Sequence, residues 1–349
     1  VYLPGMVLPM LPAALSEELC SLKAGVNRLA MTAVMNIRKD GHIKRYDFYR
    51  SVITVDQRLT YEGADEILKS GKGQTADMLR DFSELSRSLK ERRIAAGRID
   101  LEIPEISFQR GPVPEKKARL MSSIMIEEAM LSANTCVAEY LRKNKAAALY
   151  RTHAPMDLEK LELLNYFLKL HDISPILPEN PASLQRALTR INERGNRESR
   201  IFQFLLLRSF MQAVYSPDPA GHWALALKDY CHFTSPIRRY PDLVCHRALA
   251  GLLRKKNRPG PEDLATLGRH TSERERKAME AERDAAKLFG LRYLASVTEK
   301  RMQAILSGFK YDRLFFQLEN GLEAVVKNEE LGGGELVGPD PFSVFVPRL

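Results

Sequence analysis

The sequence has 349 residues, with 53 lysines and arginines against 44 aspartates and glutamates, a net charge of +9 and a pI of about 9.3. With 28% charged and 44% hydrophobic residues, it is typical of a globular protein, and its length suggests one large domain and a smaller one. No apolar run approaches the roughly 18–20 residues that span a membrane, and no secretory signal pattern opens the chain. We therefore expect a cytoplasmic protein that does not contact a membrane.

The first predicted element is a β-hairpin. Apolar residues alternate from Leu29 to Met35 and again at Tyr46 and Phe48, and the turn pair Asp40-Gly41 lies between the two runs. This arrangement is typical of two antiparallel strands joined by a tight turn.

The middle of the chain is predicted to be mainly helical, because apolar residues recur at helical spacing and prolines separate the segments. The expected helices cover residues 74–97, 115–143, 157–171, 181–190, 198–214, 241–256 and 262–297. Loops are expected at 215–219 and 257–261, where proline and glycine accumulate.

Short strands are predicted after about residue 301. Their apolar residues are Met302 to Leu306, Leu314 to Leu318 and Leu322 to Val326. The change from one long charged helix to short strands indicates a domain boundary near residue 300.

The four cysteines contain no C-x-x-C pair, so the sequence supports neither a zinc ribbon nor a thioredoxin motif. Cys231-His232 and Cys245-His246 form a Cys/His repeat, but adjacent ligands suit zinc poorly. Buried free thiols are the better interpretation.

The segment from His232 to Leu243, HFTSPIRRYPDL, holds the most functional information. Ser235-Pro236 predicts a helix start, whose free amides suit an anion, and Arg238 and Arg239 add forked donors for a phosphate. The aromatic rings of the segment could stack on bases. The alternative interpretation is a capped helix with two solvated arginines.

The string HFTSPIRRYPDLVCHRAL resembles the signature of the RNB-type exoribonucleases, the ribonuclease II and ribonuclease R family. Further blocks follow in the order of the family: VYLPGMVLPMLP at 1–12, SVITVDQRLTYE ending near Tyr61, IEEAMLSANTCVAEYL at 126–141, and MEAERDAAKL at 279–288. The resemblance implies a mixed α+β fold. Residues 1–300 would form an N-terminally incomplete RNB domain with a mixed sheet and surrounding helices, and 301–349 the start of an S1 domain, an OB-type β-barrel.

The resemblance also implies roles for aromatic and basic residues. Tyr2 matches an aromatic that stacks on RNA bases, and Tyr61 matches a tyrosine beside the last nucleotide. Arg238 matches an arginine that contacts the terminal phosphate region and assists cleavage, whereas Arg239 would contact the RNA backbone or serve the structure. Leu101 falls where some relatives carry a second stacking aromatic.

Two carboxylates receive roles in the same way. Glu127 would hold the last nucleotide, and the alternative is a buried ion pair with an arginine, since a buried carboxylate needs a partner. Glu282 would lie near the terminal nucleotide, although its charged surroundings also suit a solvated residue. Asp242 is expected in the first turn of the next helix, where a structural role is favoured over metal binding.

The family's Mg²⁺ is bound by an aspartate loop just before the YLPG segment, and this sequence contains no D-x-D or D-D cluster. Because the chain begins with Val1, at what resembles the middle of a domain, we expect the metal ligands upstream of that residue. Without such a loop we expect no hydrolysis.

The resemblance predicts an exoribonuclease that degrades single-stranded RNA processively, 3′→5′, to nucleoside 5′-monophosphates. Its expected cofactor is Mg²⁺, its partner single-stranded RNA, and its state a monomer. Two alternatives remain open: a non-catalytic RNA-binding relative that lacks the aspartate metal site, and a basic helical scaffold for other proteins.

Overall fold

A computed structural model describes most of the chain. The described residues are 1–100, 106–108, 113–116, 119–177, 181–194, 196–255, 263–297, 302, 304–310, 313–318, 320–327, 335–336 and 345–346. Leu101, the predicted loop at 257–261 and the predicted boundary at 300–301 lie outside these ranges.

The described residues form a mixture of helices and strands, as the sequence predicts. The α-helices are α1 (Tyr61–Ser70), α2 (Ala76–Ala95), α3 (Met121–Lys143), α4 (Leu158–Leu170), α5 (Pro181–Arg194), α6 (Asn196–Ser209), α7 (Tyr240–Leu253) and α8 (Leu264–Ser296). A short π-helix (Ala14–Leu19) and a short 3-10 helix (Trp223–Leu225) are also present. The strands are β1 (Tyr2–Leu3), β2 (Met6–Val7), β3 (Asn27–Ile37), β4 (Ile43–Thr54), β5 (Ile106–Ser107), β6 (Glu115–Lys116), β7 (Tyr150–Thr152), β8 (Val214–Ser216), β9 (Ala304–Lys310), β10 (Arg313–Leu318), β11 (Glu323–Lys327), β12 (Glu335–Leu336) and β13 (Phe345–Val346).

The predicted hairpin is confirmed as strands β3 and β4, which pair antiparallel from Asn27↔Thr54 to Ile37↔Ile43. Gly41 closes the turn at φ 75°, and a Cβ there would lie 2.8 Å from the Ser88 carbonyl oxygen of α2. Only glycine combines this backbone with so close an approach. One face of the hairpin covers a core cluster that includes buried residues of α3, α7 and the signature segment.

Helix α3 begins later than the sequence predicts. The expected helix at 115–143 starts at Met121, and Glu115–Lys116 instead forms β6. The buried Asp65 of α1 accepts hydrogen bonds from the backbone amides of Met121 (3.2 Å) and Ser122 (2.8 Å). A carboxylate from another helix therefore caps α3, and this tertiary contact is invisible in the local sequence.

Helices α4, α5 and α6 form a separate apolar cluster, whose fully buried members include Leu164, Leu184 and Phe202. Helix α6 ends at Ser209, so the predicted helix at 198–214 is too long. Tyr215 and Ser216, expected in a loop, belong to strand β8, which pairs antiparallel with β7. Tyr215 is buried because α8 packs across β8.

Strands β9, β10 and β11 form an antiparallel meander close to the predicted strands. An open three-stranded sheet is not a barrel, so the S1 assignment of 301–349 stays a prediction. All pairings between named strands in the described ranges are antiparallel, and only isolated bridges such as Ala24↔Val55 are parallel. The expected mixed sheet is not found among them.

Among the described residues, no helix is both long enough and apolar enough to cross a bilayer.

Candidate nucleic-acid site

The signature segment folds as a turn before its helix. The predicted helix start at Ser235-Pro236 is wrong: residues 236–238 form a turn, and α7 begins at Tyr240 with Pro241 in its first turn. The backbone amides of Arg238 and Arg239 both donate to the Ser235 carbonyl oxygen, at 3.2 and 3.1 Å. The turn projects Arg238 from the surface.

Asp242 explains why the turn forms. Its fully buried carboxylate accepts the Ser235 amide at 2.7 Å and the Arg239 guanidinium at 2.9 Å. Asp242 lies in the first turn of α7, as predicted, and a carboxylate there also interacts favourably with the helix dipole. The structural interpretation of Asp242 is thus the one that its contacts support.

Three of the predicted site residues come together. The Tyr2 amide donates to Glu282 Oε1 at 2.6 Å, and the Arg238 guanidinium lies 6.0 Å from the centre of the Tyr2 ring. Strand β1, the signature turn and helix α8 each supply one residue. Tyr2 is 48% exposed and Arg238 is also exposed, so the ring and the guanidinium both face solvent.

Arg239, by contrast, has its guanidinium occupied. Its Nε lies 2.8 Å from Asp242 Oδ2, in addition to the bond from its Nη2. Of the two roles predicted for Arg239, this ion pair favours the structural one over a contact with the RNA backbone. The guanidinium already holds the turn that presents Arg238.

Tyr61 contacts the start of α3, and Glu127 lies on the same helix. Tyr61 opens α1, its side chain is 49% exposed, and its carbonyl oxygen accepts a hydrogen bond from Ser122 Oγ at 2.8 Å. Glu127 follows Ser122 on α3 by five residues, about 7.5 Å along the helix axis. Tyr61 therefore borders the first turn of α3, and Glu127 lies in the following turn.

Glu127 and Glu128 of α3 are both paired with arginines. The alternative interpretation of Glu127 predicted such a pair, but in a buried position. Glu127 pairs with Arg98 and lies 3.8 Å from an Arg119 nitrogen, but its side chain stays 39% exposed. Glu128 is fully buried and pairs with Arg93 and with Arg98, the latter at 2.6 Å. Burial, together with the nearby Arg98 charge, lowers the pKa of Arg93 to about 10, which leaves its guanidinium charged at neutral pH.

Two further contacts, which were not expected from the sequence, connect α3 to the signature segment and to a residue just before it. Buried Asn134 accepts the Phe233 amide at 3.0 Å and donates to the Tyr230 hydroxyl at 3.3 Å. Asn134 lies seven residues after Glu127, on the same face of α3. The sequence did offer a signal for these contacts: Asn134 is an amide side chain inside the apolar run IEEAMLSANTCVAEYL, and a buried amide needs hydrogen-bond partners.

The described residues do not fit a magnesium site. Within those ranges, no group of three or more His, Cys, Asp and Glu side chains converges so that it could hold a metal ion. Glu127, Glu128 and Asp242 all have arginine partners instead.

The chain is similar to a known protein family. The family model for the RNB domain matches residues 1–255. Ribonuclease R of Aquifex aeolicus is 36% identical over 357 residues, covering 97% of this chain and 50% of that protein. This chain spans about half the length of the curated relatives that it matches.

Solved structures show the same fold. Mycoplasma genitalium RNase R in complex with ribose-methylated single-stranded RNA superposes with a TM-score of 0.86 at 26% identity, covering all of this chain and 57% of that one. Yeast Ssd1, a pseudonuclease, shares the fold at a TM-score of 0.75 and 23% identity, covering 95% of this chain and 43% of its own. On the match of its first 255 residues, this chain belongs to the RNB domain family, together with the ribonuclease R enzymes that it resembles.

Proposed function

We propose that this chain forms the RNA-holding part of an exoribonuclease that degrades single-stranded RNA processively, 3′→5′, to nucleoside 5′-monophosphates. The observation that carries the proposal is the convergence of Tyr2, Arg238 and Glu282 at one exposed place. An exposed ring, a guanidinium without an ion-pair partner in the described part of the chain and a carboxylate are complementary to a base, a phosphate and a ribose hydroxyl.

Each member of this group has a distinct proposed task. The Tyr2 ring stacks on a base, and Arg238 contacts the terminal phosphate region and stabilises negative charge that develops during cleavage. Glu282 uses one oxygen to fix the Tyr2 backbone, and its other oxygen can accept a hydrogen bond from a 2′-hydroxyl. A contact of that kind would favour RNA over DNA.

Tyr61 and Glu127 are proposed to border the last nucleotide. Tyr61 is half exposed at the start of α1, and the Glu127 carboxylate is held in place by Arg98 while remaining accessible. The pairing with arginine therefore orients Glu127 for a contact with a sugar or a base edge. For Arg239 we propose the supporting role of holding the signature turn.

Magnesium dependence is proposed for the whole enzyme, because the chain resembles a family that binds this ion. The described residues provide no fitting ligand group, so no step of the proposal involves a metal. The RNB fold by itself does not distinguish a hydrolase from a non-catalytic RNA-binding protein, because the pseudonuclease Ssd1 has the same fold.

The experiment compares Arg238→Ala with Arg87→Ala, which removes an exposed arginine of α2, in the complete enzyme. We expect Arg238→Ala to reduce the rate of single-stranded RNA hydrolysis by about 100-fold or more, because an arginine that acts in the transition state contributes several kcal/mol. RNA affinity should change much less, and Arg87→Ala should change neither. An unaltered rate for Arg238→Ala would refute the assigned role.

Binding by this chain alone separates the alternatives. We expect the affinity for a single-stranded RNA oligonucleotide, measured by fluorescence anisotropy, to fall steeply between about 50 and 200 mM salt. Salt-sensitive binding without turnover in the complete protein would favour the non-catalytic relative. The absence of any salt-sensitive RNA affinity would favour the protein scaffold.

A further inference from the structure

Helix α8 is clamped to strand β8 at the level of the backbone. A Cβ on Gly268 would lie 2.5 Å from the Tyr215 carbonyl oxygen, so only glycine allows this approach. One turn later, Ser272 Oγ accepts the Tyr215 amide at 2.9 Å and donates to the Gly268 carbonyl oxygen at 2.7 Å. These contacts fix where α8 crosses β8.

The next residue on the same face of α8, Glu275, bonds to side chains outside the helix. Its carboxylate forms a 2.6 Å ion pair with Arg151 of β7 and accepts a 3.4 Å hydrogen bond from the Tyr215 hydroxyl. The Arg151 guanidinium also lies 4.5 Å from the centre of the Tyr215 ring. Glu282, in the proposed RNA site, follows Glu275 by two helical turns on this face.

The same tyrosine reaches the signature segment. The Tyr215 hydroxyl lies 2.8 Å from His232 Nδ1, six residues before Arg238. A carboxylate can only accept, and the tyrosine has one proton, so both hydrogen bonds form together only when His232 carries its proton on Nδ1. Burial, followed by the charges of Arg239 and Arg151, lowers the pKa of His232 to about 2, which keeps the ring neutral as this arrangement requires.

We infer that Tyr215 and Glu275 are positioning residues, which hold helix α8 and the signature segment in register so that Glu282 and Arg238 meet at Tyr2. The inference rests on the proposed function, since it concerns the same RNA site. The continuous chain of contacts, Arg151–Glu275–Tyr215–His232, carries it. Neither Tyr215 nor Glu275 is assigned a contact with RNA.

The test uses this chain and a fluorescently labelled single-stranded RNA oligonucleotide. Tyr215→Phe removes only the hydroxyl and keeps the ring beside Arg151, and Glu275→Gln removes the charge. The matched control is Glu273→Gln, an exposed carboxylate of the same helix. Thermal unfolding of every variant identifies those that no longer fold, and Glu275→Gln replaces Tyr215→Phe if the latter is unstable.

We expect Tyr215→Phe and Glu275→Gln to weaken RNA binding about three- to tenfold, the effect of one lost hydrogen bond, with no change for Glu273→Gln. The decisive measurement is a double-mutant cycle with Glu282→Ala. If Tyr215 acts through the placement of Glu282, then Tyr215→Phe should change the Kd less than about twofold in the Glu282→Ala background. A merely stabilising residue would show the same loss in both backgrounds, and that additivity would overturn the inference.

Failure of the inference and failure of the proposed function give different results. If Glu282→Ala weakens binding but Tyr215→Phe and Glu275→Gln do not, the positioning role alone is wrong. If none of these three variants weakens RNA binding, the proposed RNA site is wrong, and the positioning role with it.

Discussion

The stability of the α2–α3 contact depends on one fully buried carboxylate, and replacing Glu128 by glutamine tests this. Glu128 has no exposed surface and lies between Arg93 and Arg98, whose side chains are 11% and 6% exposed. Removing one partner from a buried ion pair leaves the other charge uncompensated, at a cost of about 3–5 kcal/mol. Glutamine keeps the shape of the side chain and one accepting oxygen. We therefore expect Glu128→Gln to lower the free energy of unfolding by about 3 kcal/mol, the lower end of that range.

Glu127→Gln provides a matched control one residue away. Its side chain is 39% exposed, so solvent screens the pair with Arg98, and we expect a loss of about 1 kcal/mol or less. Urea unfolding followed by circular dichroism gives both free energies of unfolding by linear extrapolation. A Glu128→Gln loss below about 1 kcal/mol, or losses of equal size for the two variants, would show that burial of the pair does not govern its energetics.

Three further predictions concern other parts of the structure. Burial raises the pKa of Asp65, but hydrogen bonds from the start of α3 outweigh it and lower the pKa below its usual 3.8. The contribution of Asp65 to stability is therefore present above the pKa of the unfolded chain, and it is lost as the pH falls through the pKa of the folded state. We therefore expect Asp65→Ala to lower the free energy of unfolding by about 1–2 kcal/mol at pH 7 and by less below pH ~4, as measured by urea titrations at several pH values. Gly268→Ala should lower the melting temperature, because the alanine Cβ would lie 2.5 Å from the Tyr215 carbonyl oxygen. Alanine has the higher helix propensity, so an unchanged or raised melting temperature would contradict that packing. Cys20 is exposed and the other three cysteines are buried, so a thiol reagent should rapidly modify one cysteine in the native protein and four in denaturant, and a second fast native thiol would contradict the burial.

The local sequence predicted elements whose formation depends on neighbours along the chain. The hairpin around Gly41 was predicted, and the predicted ends of helices α2, α4 and α8 lie within two residues of the observed ones. Turn residues, prolines and apolar periodicity act over one or two turns of chain, so they can be recognised in the sequence. The family resemblance likewise predicted site roles for Tyr2, Arg238 and Glu282, and the structure places these three residues together.

Contacts of buried carboxylates with backbone amides decided two features that the sequence did not predict. Met121 starts α3 because Asp65, 56 residues earlier, accepts its amide, and Ser235 forms a turn because Asp242 accepts its backbone amide. In both segments the local sequence predicts a helix start further upstream. The helix begins later because a buried carboxylate accepts the backbone amides there.

The sequence by itself determined the family, most helices and the identity of the candidate site residues. Only the tertiary structure decided how they are held: that Tyr2 bonds to a residue 280 positions away, and that Tyr215 links α8 to the signature segment. The physical reason is that a buried hydrogen bond or ion pair is specified by which elements pack together. Periodicity and turn signals report only whether each element forms.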